Sequence, residues 1–349
     1  MKKLNLLVMI STLAFTMLPI TTIKAKTTTL QSLKVSSTIT VDGIAETAWA
    51  NAPSVKVKLK KLPYKPNNGY KGIKKTTVIM QSLYDDEYVY FLMTYKDPTY
   101  SMNRFPWEKQ DDGSWKQLKN KDNTGHDNTY YEDKFAILWD INSDGFAKKG
   151  CNAACHRADN GEIDGIKSKS PARKFTKPGQ TIDMWHWKGV RTNGNGQMDD
   201  QFINSNKDPK KNKGWGRKGD HKTGGGYVNN VDNKQPKFVS ASLTNDSVVI
   251  FDSEKQPFAK DYDKTTRIPG IITQPFTGSR GDIVTVGVWK EGVWTLEVKR
   301  KLVTTGKNAK TQDVQFDDME KIYPFGIAVF DNSQINHIFH RGVLNLTFK

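Results

Sequence analysis

The stretch TTVIMQSLYDDEYVYFLMTY, residues 76–95, points to the architecture. Two arms rich in β-branched and aromatic residues flank Asp85-Asp86-Glu87, a polar break that suits a turn, so the segment predicts two strands and a hairpin. Outward from it the same signal repeats. VKVKLKKL (55–62) alternates apolar and basic residues with period two, as a half-buried strand does. EDKFAILWDI (132–141), KFVSASL (237–243), SVVIFD (247–252) and DIVTVGVW (282–289) read as strands. So do VWTLEVKRKL (293–302), FGIAVFD (325–331) and RGVLNLTF (341–348), with Lys290-Glu291-Gly292 as a hairpin turn. No segment carries a long helical period. Many strands with polar turns and little helix predict a mainly β protein, a sandwich or barrel-like domain.

Between about 142 and 236 the pattern lapses. This stretch is rich in Gly, Asn, Asp and Lys (NGNGQMDD, GWGRKGD, TGGGYVNN), and it holds both cysteines and three of the six histidines, His156, His186 and His221. Structureless loops of such length are uncommon unless they carry function or are disordered. A cofactor folded into the loops of a β scaffold accounts for both facts. With no internal repeat and no separate linker, residues 26–349 read as one domain carrying this loop-rich insert.

Both cysteines lie in KKGCNAACHR, residues 148–157. A disulfide between Cys151 and Cys155 would close a very short loop, where loop-closure stabilisation is smallest, and would leave His156 unexplained. Haem c is usually attached at C-x-x-C-H, two thiols adding across the porphyrin vinyl groups and the histidine reaching the iron. CNAACH has one residue more between the cysteines, which a short Asn-Ala-Ala loop can absorb as a bulge. Covalent haem c on Cys151 and Cys155, with His156 as proximal iron ligand, is therefore the expectation. Zinc is a weaker rival, since two Cys and one His leave a structural site incomplete. For the other face of the iron, IDMWHWKGVR (182–191) offers Met184, His186 and Lys188. Met198, Lys234, Lys237, His337 and His340 remain alternatives, because imidazole, amine and thioether all ligate haem iron. DINSDG (140–145) imitates the start of a calcium loop, but its twelfth position is Cys151 rather than Glu, and it reads as a turn.

The N-terminus bears on compartment. Lys2 and Lys3, the apolar run LNLLVMISTLAFTMLPI and a small residue at Ala25 read as a secretory signal peptide over residues 1–25. The expectation is an exported protein, in the periplasm or an equivalent extracytoplasmic compartment, with no transmembrane anchor after cleavage. The full chain has 53 basic and 37 acidic residues, formally +16; cleavage removes three lysines and leaves about +13. Export and the lack of a recognition motif argue against nucleic acid as the partner of this charge. KDPKKNKGWGRKGDHK (207–222) concentrates it, as a solvated loop or as a docking patch for an acidic redox partner.

Taken in order, VDGIAETAWANAP (41–53), LYDDEYVYFLMTYKDPT (83–99), EDKFAILWDIN (132–142), GCNAACH (150–156), IDMWHWKGVR (182–191), GVWTLEVKRKL (292–302) and FGIAVFDNSQINH (325–337) form a series. The series resembles the haem-binding subunit family of ethylbenzene dehydrogenase and related dimethyl-sulfoxide-reductase-type molybdenum enzymes. That resemblance implies a single immunoglobulin- or lipocalin-like β-sandwich with long haem-carrying loops, one haem, and transfer of single electrons. Its members serve exported molybdenum and iron-sulfur oxidoreductases, nitrite- and nitrate-converting types among them, or relay electrons to other cytochromes. Those with non-covalent haem b use a Met/Lys axial pair. GCNAACH instead looks like the covalent c-type branch, so Cys151, Cys155 and His156 carry over directly and His156 replaces one of that pair. By its place in the chain Lys237 corresponds to the other, with His186 as its main rival.

The leading expectation is thus a mono-haem cytochrome that performs no bond-making chemistry of its own. A carbohydrate-binding-like β-sandwich module is one alternative, since VDGIAETAW is shared with such modules; it leaves CNAACH without purpose. A haem enzyme with an open iron site is another.

Overall fold

Asp85 closes the 76–95 hairpin: its carboxylate accepts hydrogen bonds from the amides of Glu87 and Tyr88 (2.9 and 2.7 Å) and from the Tyr90 hydroxyl (2.6 Å). The computed structural model describes residues 28–349 other than 38, 61, 156–161, 164–165, 168–172 and 260. The expected signal peptide and His156 lie outside the described residues. No helix among the described residues is long and apolar enough to cross a membrane.

The main sheet has 13 strands. In chain order they are β1 (Thr28–Lys34), β2 (Val55–Lys60), β3 (Lys75–Tyr84), β4 (Tyr88–Lys96), β5 (Lys134–Asp140), β6 (Ile182–Lys188) and β7 (Asp199–Ile203). There follow β8 (Arg217–Gly219), β9 (Val284–Lys290), β10 (Val293–Lys301), β11 (Tyr323–Phe330), β12 (Ile338–Phe339) and β13 (Leu344–Phe348). The sheet folds on itself into a β-sandwich. One layer runs β8-β7-β6-β5-β11 and the other β2-β3-β4-β10-β9. Strand β12 joins them by pairing with both β11 and β2, and β13 with β1 makes a second join between β11 and β3. At the opposite edge the amides of Met198 and Thr285 bond across to Ile283 and Gly196. The β9–β10 hairpin turns on Glu291 and Gly292, both at positive φ, as a two-residue turn of this hand requires.

Period-two alternation on β5 sends Phe135, Ile137 and Trp139 inward. They meet Trp185 and Trp187 of β6, Ile327 of β11, and Phe91, Trp294 and Leu296 of the facing layer. Leu138 and Ala136 point the other way and join a second buried cluster with Met184, Phe330, Phe339, Cys151 and Cys155. The first layer is therefore buried on both faces.

The 142–236 stretch, expected to be loop-rich, is mostly loop but also carries strands of the sandwich. The stretch contributes β6, β7 and β8 to the sandwich. Every residue of IDMWHWK is buried, and a strand covered on both faces loses the alternation by which half-buried strands are recognised. Two other strands are shorter than expected: 237–243 narrows to Phe238–Ser240 and 247–252 to Ile250–Phe251. DINSDG is a turn, with the Asp140 carboxylate accepting the Ser143 amide at 2.8 Å.

Candidate functional site

Strand register lays out the floor of the site. Across β6, β5 and β11 the outward-facing residues align in three rows: Met184–Leu138–Gly326, His186–Ala136–Ala328, and Lys188–Lys134–Phe330. The small residues Gly326, Ala136 and Ala328 leave a trough in the middle of the layer.

The cysteine segment lies over this trough. Phe146 is fully buried and anchors a four-residue helix, Phe146–Lys149; Gly150 then turns the chain at φ +54°. A Cβ at Gly150 would overlap the carbonyl oxygen of Gly342, with which Gly150 makes a parallel bridge, so glycine is required on two counts. Cys151–Ala153 form a 3₁₀ turn, and the Cys155 amide donates to the Cys151 carbonyl at 2.9 Å. Both thiols are buried and not bridged to each other, and burial pushes both up in pKa. Cys151 rests on Gly326, where a Cβ would overlap Sγ.

Two adjoining cavities open beside the thiols. The smaller, about 30 Å³, is lined by Cys151, Cys155, Ala136, Leu138, Ala328, Phe339 and four residues it shares with the larger: Lys174, Met184, Phe330 and His337. The larger, about 270 Å³, adds His186 and a basic wall of Lys134, Arg173, Arg191, Lys213 and Arg217. No Asp or Glu is among the described residues lining it. The site thus has one apolar, thiol-bearing end and one cationic end.

One of its histidines is held in the neutral form. His186 is 4% exposed and neither ring nitrogen has a hydrogen-bond partner. Burial, then the charges of Lys188, Lys134, Arg217 and Arg191, push its pKa well below the usual imidazole range. His337 Nδ1 donates to the Ile335 carbonyl at 2.8 Å; its ring is tilted against Phe330 at 4.6 Å, and Phe330 is itself 5.6 Å from His186. The neighbouring cations are anchored individually. Lys134 donates to the Gln334 carbonyl and lies 4.2 Å over the Phe330 ring. Arg191 is paired to Glu132 at 2.5 Å, and Lys188 to Asp199. Burial lowers the Lys174 ammonium to about 8.

Of the residues expected from sequence, Cys151, Cys155, Met184, His186 and His337 come together here. His156 lies outside the described residues. Lys237 does not join them: it is exposed before the short strand Phe238–Ser240, its ammonium over the Phe238 ring. Lys234 is exposed in a turn, Met198 belongs to the sandwich core, and His340 lines neither cavity. Sequence reasoning missed the floor of Gly326, Ala136 and Ala328 and the basic wall. Small residues at alternate positions of β5 and β11 were a readable signal for the first; the wall is gathered from scattered segments and had none.

Fold and site together define a β-sandwich with a thiol-bearing, cation-walled cavity on one outer face. The ethylbenzene dehydrogenase family model matches residues 46–342, and the chain belongs to that family. No curated protein matches the chain. Among solved structures it is similar to a family 9 carbohydrate-binding module from Caldicellulosiruptor kristjanssonii in complex with glucose. That likeness is at 10% identity over 91% of this chain and 95% of that one, with a TM-score of 0.33. It is also similar to a putative carbohydrate-binding protein from Bacteroides uniformis, at 9% identity over 93% and 100% of the two chains and a TM-score of 0.33.

Proposed function

We propose that this protein is an exported mono-haem c-type cytochrome that carries single electrons for a molybdenum-containing oxidoreductase, as its subunit or its soluble partner. The observation that carries the reading is the pairing of two buried, unbridged cysteines with a buried, neutral His186 whose nitrogens are both unpartnered, around two adjoining cavities. A buried imidazole without a partner is costly in a folded protein and calls for a ligand. Cys151 and Cys155 would hold the porphyrin covalently, and His156, next to Cys155 in sequence, would ligate the iron. His186 would supply the second protein ligand, with Met184, one row nearer the thiols, and His337 as rivals. Phe330, Phe339 and Leu138 would exclude water, and Lys134, Arg173 and Arg217 suit the propionates at the cationic end. When bound, the haem supplies a one-electron couple whose potential follows from axial ligand and burial.

Membership of the family supports a molybdoenzyme as the partner class. The 207–222 segment supports docking. Lys207, Lys210, Lys211, Lys218 and Lys222 are exposed on it, and its Lys213 and Arg217 border the cavity, so a partner's acidic face would meet the protein beside the proposed haem.

The test is protein matured in a host that attaches haem c, read by pyridine haemochrome spectrum and peptide mass. The expected result is one covalent haem on the peptide holding Cys151 and Cys155. A colourless protein without that added mass overturns the reading.

A further inference from the structure

On the inward face of β6 and β7, turned away from the thiols, five aspartates from five chain segments converge. Asp183 comes from β6 and Asp200 from β7. Asp220 follows β8, Asp282 precedes β9, and Asp313 follows the short helix Ala309–Gln312. One oxygen each of Asp200, Asp282 and Asp313 lie mutually within 4.8 Å. Asp220, 4% exposed, is directed at the same group, close against Asp313 and feeling the charges of Asp183 and Asp282, and neither of its oxygens accepts from an N–H or hydroxyl donor. One oxygen each of Asp183, Asp200, Asp282 and Asp313 is likewise unpartnered.

Among the described residues Arg300 is the cation set against most of this group, and Arg280 also feels the charge of Asp220. Arg300 of β10 lies 3.8 Å from Asp183 and 3.5 Å from Asp313, and its Nη1 donates to the Val314 carbonyl. The next guanidinium, Arg280, is engaged with Asp199, at 2.6 Å from Nε and 3.1 Å from Nη2. Arg300 alone cannot neutralise four buried carboxylates and the half-buried Asp282, and buried charges persist only when paired or bound to a metal. Ca²⁺ takes six to eight hard oxygen ligands in flexible geometry, whereas Mg²⁺ demands a near-ideal octahedron and retains water. The unpartnered oxygens of these five side chains match the first description.

We propose that Asp183, Asp200, Asp220, Asp282 and Asp313 form a divalent-cation site selective for Ca²⁺, clamping β6 and β7 to the loops at their edge. The site stands apart from the haem reading and survives its failure. Asp183 and Asp200 each neighbour a residue of the opposite face, Met184 and Asp199, so the cation fixes the two strands that carry His186 and the Lys188–Asp199 pair. Without the cation the carboxylates must share protons: burial and neighbouring charge push Asp220 up to about 9, and burial pushes Asp183 up to about 7.

The experiment uses the full chain, stripped with chelator and passed into metal-free buffer at pH 7.5, then titrated with CaCl₂ by calorimetry and thermal unfolding. Expected are one tight equivalent per chain and a rise in Tm. Trp185, whose Nε1 donates to Asp183 at 2.9 Å, should sensitise Tb³⁺ luminescence that Ca²⁺ displaces. Asp282→Asn, at the most open of the five positions, should weaken Ca²⁺ binding at least tenfold; Asp220→Asn serves if that variant does not fold. Asp97→Asn, in a separate acidic cluster, should leave the binding unchanged. No heat and no Tm shift with Ca²⁺ overturns the proposal. So does binding that Asp97→Asn abolishes and Asp282→Asn or Asp220→Asn leaves intact.

Discussion

Gly326 lies directly beneath the thiol of Cys151, with no room between them for a Cβ. The cysteine turn reaches the sheet because β11 carries glycine there and alanine at 328, in register with Leu138 and Ala136 of β5. Gly326→Ala should therefore lift the turn and cost about 1–3 kcal/mol, the usual penalty for overpacking a filled core. Chemical denaturation of the haem-free protein measures it. Cys151→Ala removes the sulfur and should recover most of the loss in the double variant. Additive costs would mean that the two side chains do not share the space.

His186 destabilises the haem-free fold, since both nitrogens are buried without partners. His186→Leu should stabilise the haem-free protein by about 1–3 kcal/mol, the range for relieving an unsatisfied buried polar group. In haem-loaded protein the same variant should lose the low-spin spectrum of a six-coordinate iron and bind carbon monoxide. A destabilised haem-free variant would show that the ring has a partner after all.

Asp97, Asp133 and Asp331 form a second buried acidic group, in which hydrogen bonds satisfy every oxygen except Asp97 Oδ2. Asp133 accepts from the amides of Ser101 and Asn332 and the Trp294 indole, and Asp331 from the Ile73 amide and the Thr99 and Ser101 hydroxyls. Burial, then the charge of Asp331, push Asp97 up to about 7. Unfolded Asp titrates near 3.9, so the folded protein keeps a proton there that the unfolded chain releases. The stability this contributes is complete below about pH 4 and is lost as pH rises through about 7, at up to about 1.4 kcal/mol per unit. Asp97→Asn cannot lose it. The variant should gain on wild type between pH 4 and pH 8, by urea denaturation at fixed salt; a constant difference would mean that Asp97 titrates normally.

If the 207–222 lysines guide a partner, electron exchange with an acidic redox protein should slow as salt rises, because exposed charges are screened beyond about 10 Å at 0.1 M ionic strength. Lys210→Glu with Lys211→Glu should lower the low-salt rate about tenfold and flatten the salt dependence. A wild-type rate equal at low and high salt removes the docking role.

Much of the sandwich is legible in the order of residues alone. The 76–95 hairpin, the 284–301 hairpin and the alternation on β5 follow from local sterics and from one face being apolar, both written in consecutive residues. The expectation placed on CNAACH rests on the same kind of local pattern, neighbours in the chain. The strand Ile182–Lys188 is harder to read, since burial on both faces erases the period of two that marks a strand.

Tertiary structure alone decided what covers each face of the sheet. Alternation says that β5 has two sides, but only register sets His186 beside Ala136 and Ala328 while Lys237 stays outside. The five aspartates between 183 and 313 show the limit most plainly. Each is an ordinary residue where it stands in the chain. Folding makes them a group, because carboxylates interact through space and low dielectric, and neither depends on separation in sequence.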